Sequence, residues 1–112
     1  MKRLALFVLA AAPLFAATPG VDVLFVGASD LVYDLGFPGG YDRPELADAV
    51  ARICRAAAAN GKQVGMGGLR DDALWKKMIG LGVRMVLTEN DLSMLVRRAT
   101  ERAQFFRSLQ PS

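Results

Sequence analysis

The chain has 112 residues, with 14 Lys and Arg against 11 Asp and Glu, no His, a net charge of +3 and only 22% charged residues. This balance excludes a disordered chain and a strong polyanion binder, and the lack of His removes any His-dependent triad, His metal ligand or imidazole proton transfer from these residues. Its 53% hydrophobic content lies above the usual globular share of ~45–50%, and the length allows one packed domain at most. The single Cys54 can form no internal disulfide, and in an Ala-rich helical stretch it is expected to be a buried, inert thiol.

Residues 1–18 form an apolar segment, and residues 19–112 hold the patterned remainder. The segment begins with Lys2 and Arg3 and continues through an apolar run from Leu4 to Ala12, the order of a secretory signal. Pro13 and Thr18-Pro19-Gly20 make the run too short to span a bilayer. Small residues at Ala10 and Ala12 place Pro13 just after a cut, and a cut after Ala17 leaves Phe15 badly placed, so the processing signal is weak. A helix packed ahead of the first strand is the other reading. Both stay open; the first implies export, the second a cytoplasmic protein.

Val21–Val26 is β-branched and aromatic, bounded by Pro19-Gly20 and Gly27, and reads as a strand buried on both faces. A loop, Leu35 to Tyr41, leads to a helix that starts at Pro44 and stops at Asn60-Gly61, with Leu46, Ala49, Val50, Ile53 and Ala57 on one stripe. Gln63–Met66 is a second strand. Asp71 or Asp72 caps a helix carrying Leu74, Trp75, Met78 and Ile79, which Gly82 ends. Arg84–Leu87 is a third strand, and a last helix runs from about Asn90 to Leu109. Its residues Leu92, Leu95, Val96, Ala99, Ala103 and Phe106 are expected to face inward, with Arg97, Arg98, Glu101 and Arg102 outward.

Alternating strands and helices place the chain in the α/β class, with parallel strands joined by right-handed crossovers. Three strands cannot close a barrel of eight, and an open parallel sheet leaves two bare edges.

The run Gly20-Val21-Asp22-Val23-Leu24-Phe25-Val26-Gly27-Ala28-Ser29-Asp30-Leu31, then Leu35-Gly36-Phe37-Pro38-Gly39 and a helix opening Pro44-Glu45, resembles the HpcH/HpaI aldolase family. The likeness covers residues 19–108. It implies the last three βα units of a (β/α)8 TIM barrel, present here as a truncated form, incomplete as a barrel. It further implies a metal-dependent class II lyase that makes or cleaves the carbon–carbon bond between pyruvate and an aldehyde. The family's metal-binding Glu, pyruvate-orienting Arg and proton-transfer His all precede the stretch that aligns. Where the family usually has a glycine before the aspartate of the last turn, this chain has Thr88-Glu89-Asn90.

By that resemblance Asp30 is a ligand of Mg²⁺ or Mn²⁺, ions suited to carboxylate oxygens, and the backbone N–H groups of Ala28 and Ser29 hold the pyruvate carboxylate. A helix starting at Ala28–Asp30 would turn its free N–H groups toward that anion. Without the metal, Asp30 reads as an N-cap of the Leu31–Leu35 turn. Gly27, Gly36, Gly39 and Gly40 read first as turn residues with positive φ and second as points of close approach. Gly65-Met66-Gly67-Gly68 lacks the spacing of a phosphate loop, and Asp71-Asp72 is a helix start rather than a metal pair. The basic residues of the last helix are interrupted by Glu101 and read as a solvated face, with no nucleic acid implied. Phe105, Phe106 and Leu109 gain interest from the resemblance, because the family forms oligomers through its terminal helices. A homo-oligomer, or association with a chain that completes the barrel, is expected. The alternative to an enzyme is a noncatalytic α/β module that associates through its sheet edges.

Overall fold

A computed structural model describes residues 11–109. Strands β1 (Val23–Gly27), β2 (Gln63–Gly67) and β3 (Val83–Leu87) form a parallel sheet in the order β1-β2-β3. Helix α1 (Ala28–Asp34) follows β1 without a break, α2 (Pro44–Ala59) connects β1 to β2, α3 (Asp72–Leu81) connects β2 to β3, and α4 (Asp91–Ser108) follows β3. The α/β class is therefore as expected, and among the described residues the sheet is open at both edges.

The helix ends follow from local chemistry. Pro44 opens α2, where its missing N–H costs nothing. Asp71, not Asp72, caps α3: its Oδ1 accepts from Leu74 N–H at 2.9 Å. Asn90 caps α4 by accepting from Ser93 N–H at 2.7 Å. Gly82 ends α3 at φ 122°, a conformation that side-chain-bearing residues rarely adopt.

Leu46, Val50, Ile53 and Ala57 of α2 pack on Val64 and Met66 of β2, Val83 of β3, and Trp75 and Met78 of α3 to form one core. Cys54 is buried in it, as expected. The helical stretch over 11–17 adds Ala12 and Ala16, both buried, while Leu14 and Phe15 stay exposed. The charged start of that segment, and most of its apolar run, lie outside the described residues.

Two expectations about burial are corrected. The first strand is not buried on both faces: Val26 is covered by the helices, but Val23 and Phe25 are exposed, Phe25 at 50%. Among the described residues only one face of the sheet carries helices. On the other, the Phe25 ring crosses the neighbouring strand, so that a Cβ at Gly65 would lie 2.7 Å from Phe25 Cδ2 and one at Gly67 3.2 Å from its Cζ. The second correction concerns α4, which has no buried residue; Leu92, Leu95, Val96 and Phe106 are all exposed, Leu95 at 68%. Its apolar stripe exists as read, but no described element of this chain covers it. Ile79 is likewise exposed, whereas Trp75 and Met78 of the same helix are buried.

Candidate active site

Parallel α/β sheets gather their chemistry beyond the carboxyl ends of the strands, where loops from several units converge. Here those ends are Gly27, Gly67 and Leu87. Beyond them lies an open cleft of about 1100 Å³ whose lining includes Ser29, Tyr41, Arg70, Asp71, Glu89 and Arg97. A smaller, largely apolar groove of about 260 Å³ lies beside β1 and is lined by Phe15, Phe25, Gly27, Asp30 and Asp34 among others.

The turn Gly27-Ala28-Ser29-Asp30 separates the two cavities. Ala28 is fully buried and anchors the start of α1 in the core. Ser29 and Asp30 follow it on a helix, where consecutive side chains diverge, so Ser29 lines the cleft and Asp30 lines the groove. The helix begins at Ala28 with Gly27 at the cap position and no side-chain cap. Asp30 is thus the third helical residue, and its reading as an N-cap is corrected. Its carboxylate instead lies back over Gly27, where a Cβ would sit 2.7 Å from Asp30 Oδ2. Gly27 has φ −81°, so the space it leaves for Asp30, not backbone freedom, is what it contributes. Gly36 and Gly39 do carry positive φ, as expected for turns, but Gly40 does not; there a Cβ would meet Phe37 O at 3.1 Å, so close packing is what calls for glycine.

The Asp30 carboxylate makes no hydrogen bond or ion pair with any described residue. Its oxygens are available to a hard cation, and exposure leaves room for that cation's waters. Asp30 fits the role of one metal ligand. No group of three His, Cys, Asp or Glu able to hold a metal occurs among the described residues, so they do not make up a complete metal site.

Within the cleft, Ser29 Oγ and Tyr41 Oη are 3.1 Å apart. Gly68 packs against Ser29, with a Cβ there 3.1 Å from Ser29 Oγ and 3.4 Å from its backbone N. Arg97 is paired with Glu89 at 2.8 Å, tying α4 to the β3–α4 turn. Neither contact is signalled by spacing, because Ser29 and Tyr41, like Glu89 and Arg97, come together only through folding. On the far part of α4, Arg98 pairs with Glu101 at 3.0 Å, and Arg102 lies over the Phe105 and Phe106 rings at 4.9 and 4.8 Å.

Against this geometry, the sequence profile of the HpcH/HpaI aldolase/citrate lyase family matches residues 8–95. This chain belongs to that family. The match begins inside the apolar segment, ten residues ahead of Thr18. The chain is 37% identical over 93 residues to a hydroxypyruvate/pyruvate aldolase of Paraburkholderia phytofirmans, covering 83% of this chain and 35% of that protein. It is 34% identical over 88 residues to a 4-hydroxy-4-methyl-2-oxoglutarate aldolase of Chaetomium globosum, covering 77% and 33%. Among solved structures, an HpcH/HpaI aldolase/citrate lyase family protein from Burkholderia cenocepacia superposes with a TM-score of 0.79 at 34% identity, over 88% of this chain and 38% of that one. The chain thus spans about a third of the length of the curated relatives it matches. Those relatives are aldolases, that is, lyases. No helix among the described residues is long and apolar enough to cross a membrane.

Proposed function

We propose that this chain carries part of the active site of a carbon–carbon lyase that joins or separates pyruvate and an aldehyde, and that its three strand–helix units correspond to the last three of a (β/α)8 barrel. In this reading Asp30 is one carboxylate ligand of a divalent cation, Mg²⁺ or Mn²⁺, and the N–H groups of Ala28 and Ser29 donate to the substrate carboxylate. The observation that carries it is the uncommitted Asp30 carboxylate held in the space above Gly27, at the carboxyl end of a strand. A cation bound there would supply Lewis-acid stabilisation of negative charge on the 2-oxo acid. The chain's own contribution is placement: buried Ala28 fixes the first turn of α1, whose N–H groups have no acceptor one turn back within the helix and no side-chain cap. With no His in the chain, proton transfer within these units would fall to a carboxylate, Lys, Tyr or water.

Titration with Mn²⁺, with and without pyruvate, on wild type and Asp30→Ala tests this. Saturable uptake that pyruvate strengthens and Asp30→Ala abolishes is the expected result. No uptake by a folded sample would refute it.

A noncatalytic association module is the second reading, favoured by the bare edges of β1 and β3 and the uncovered stripe of α4. In either case the chain is proposed to self-associate or to join a complementing chain, and solution size by light scattering decides: a monodisperse monomer refutes it. A cytoplasmic location is proposed as well, and mature material beginning elsewhere than Met1 would count for export.

A further inference from the structure

Asn60-Gly61 ends α2, and the same dipeptide carries a reactive pair of groups. The backbone nitrogen of Gly61 can attack Cγ of Asn60: the new N–Cγ bond forms, the Cγ–Nδ2 bond breaks, and ammonia leaves with the Gly61 proton. Water then opens the resulting succinimide at one of its two carbonyls, giving aspartate or isoaspartate. No reactant other than water is needed. Glycine makes this junction the least hindered of its kind, because no side chain shields the attacking nitrogen.

The fold blocks the reaction at three points. Gly61 N–H donates to Ala58 O at 3.1 Å and Lys62 N–H to Ala57 O at 2.9 Å, the paired bonds of a Schellman turn that Gly61 completes at φ 68°. The leaving group is bonded as well, with Asn60 Nδ2 donating to Ala56 O at 2.9 Å. At ψ 12° the Gly61 nitrogen lies almost eclipsed with the Asn60 nitrogen, pointing away from the side chain it must attack. Yet both residues are exposed at the end of a helix, where such bonds open most readily.

We propose that Asn60-Gly61 is a deamidation site kept closed by the Schellman turn of α2, so that modification proceeds through opening of the turn and then hinders its closure. An aspartate carboxylate has no proton to donate to Ala56 O, and it places negative charge at the carbonyl end of α2, where the helix dipole disfavours it. Isoaspartate also runs the main chain through the side-chain methylene. The connection to β2 is lengthened just ahead of Gln63, whose N–H donates to Asp22 O at 3.0 Å.

The full chain is incubated at mildly alkaline pH in native buffer and in guanidinium chloride, and the tryptic peptide Ala56–Lys62 is followed by mass for the change from amide to acid. Three hydrogen bonds must open, so the reaction is expected to be at least about tenfold slower in native buffer. Ala59→Gly leaves the reacting pair intact and loosens the exposed last turn, so it should raise the native rate about fivefold and leave the denatured rate unchanged. Asn60→Asp, which introduces the product carboxylate directly, should speed hydrogen exchange at the Gly61 and Lys62 amides. Equal rates in the two solvents overturn protection by the turn, and a native rate that Ala59→Gly does not raise overturns opening as the route. No mass change even in denaturant removes the site itself, and unchanged exchange in Asn60→Asp overturns the hindered closure.

Discussion

Gly27→Ala separates the fold from the site. At φ −81° and ψ 107° the backbone suits alanine, so the substitution brings no backbone strain, and it reduces the freedom of the unfolded chain by about 0.4–1 kcal/mol in favour of folding. Against this, the new Cβ would sit 2.7 Å from Asp30 Oδ2, and the carboxylate must rotate away. Asp30 has no described hydrogen-bond partner to lose, so the cost is that of a displaced side-chain torsion, about 0.5–1.5 kcal/mol. The two nearly cancel. Stability is expected to stay within about 1 kcal/mol of wild type, a shift of at most about 8 °C in the melting temperature. The Asp30 carboxylate, however, leaves its place, and Mn²⁺ uptake is expected to fall toward that of Asp30→Ala. Thermal unfolding by circular dichroism and Mn²⁺ titration of the same samples provide the two readouts. A loss of stability beyond about 2 kcal/mol would show that packing, not the carboxylate, requires glycine here. Unchanged stability with unchanged Mn²⁺ uptake would show that the position over Gly27 plays no part in binding.

Gly82→Ala is expected to do the opposite: at φ 122°, with Cys54 Cβ 3.2 Å from the new methyl, it should cost about 2 kcal/mol or more in a urea titration, and a neutral result would refute the strain argument. Asp71→Ala removes the cap of α3 and should lower stability by about 1 kcal/mol, with Asp71→Asn recovering most of it; equal midpoints for all three would dismiss the cap. Burial pushes the Cys54 thiol above its ordinary range, so the folded state holds this proton more tightly than the unfolded state. Its contribution to stability is complete below the ordinary thiol value of about 8.5 and is lost as pH rises through the higher folded value. Cys54→Val should remove that part of the alkaline decline, and an identical decline in the variant would assign it to other groups.

Much of the architecture was legible because it is written in local chemistry. Pro44, Asn60-Gly61, Asp71 and Gly82 mark helix ends by the conformations and hydrogen bonds they permit, and all four do so in the structure. Periodicity likewise located the apolar stripe of α4, but a stripe says only which face needs covering, not which molecule supplies the cover. The same limit explains β1: a continuous apolar run cannot show that Phe25 will lie over Gly65 and Gly67 with its outer surface bare. Asp30 was found through the family pattern around it, whereas its fit over Gly27 depends on side-chain direction, which spacing does not encode. The hydroxyl pair of Ser29 and Tyr41 spans twelve positions and needed the loop to fold back.

The arrangement of α1 also bears on what would complete the proposed site. Ser29 faces the cleft shared with the β2 and β3 ends. Asp30 faces the opposite way, into the groove beside the β1 edge, with Phe25, Gly27 and Asp34. A magnesium-type ion usually keeps waters and takes one or two protein carboxylates together with substrate oxygens. Asp34, one turn further along α1, lines the same groove, and any further ligand for an ion at Asp30 would have to approach from the β1 side, because the acidic residues lining the cleft, Asp71 and Glu89, lie on the other side of the turn. The unpaired β1 edge is open to a parallel strand at that position. Completion of the metal site and closure of the sheet would then be a single event. Mn²⁺ affinity should therefore rise together with protection of the β1 backbone amides when a complementing chain is added. A rise in one without the other would separate the two and remove this account of how the site is built.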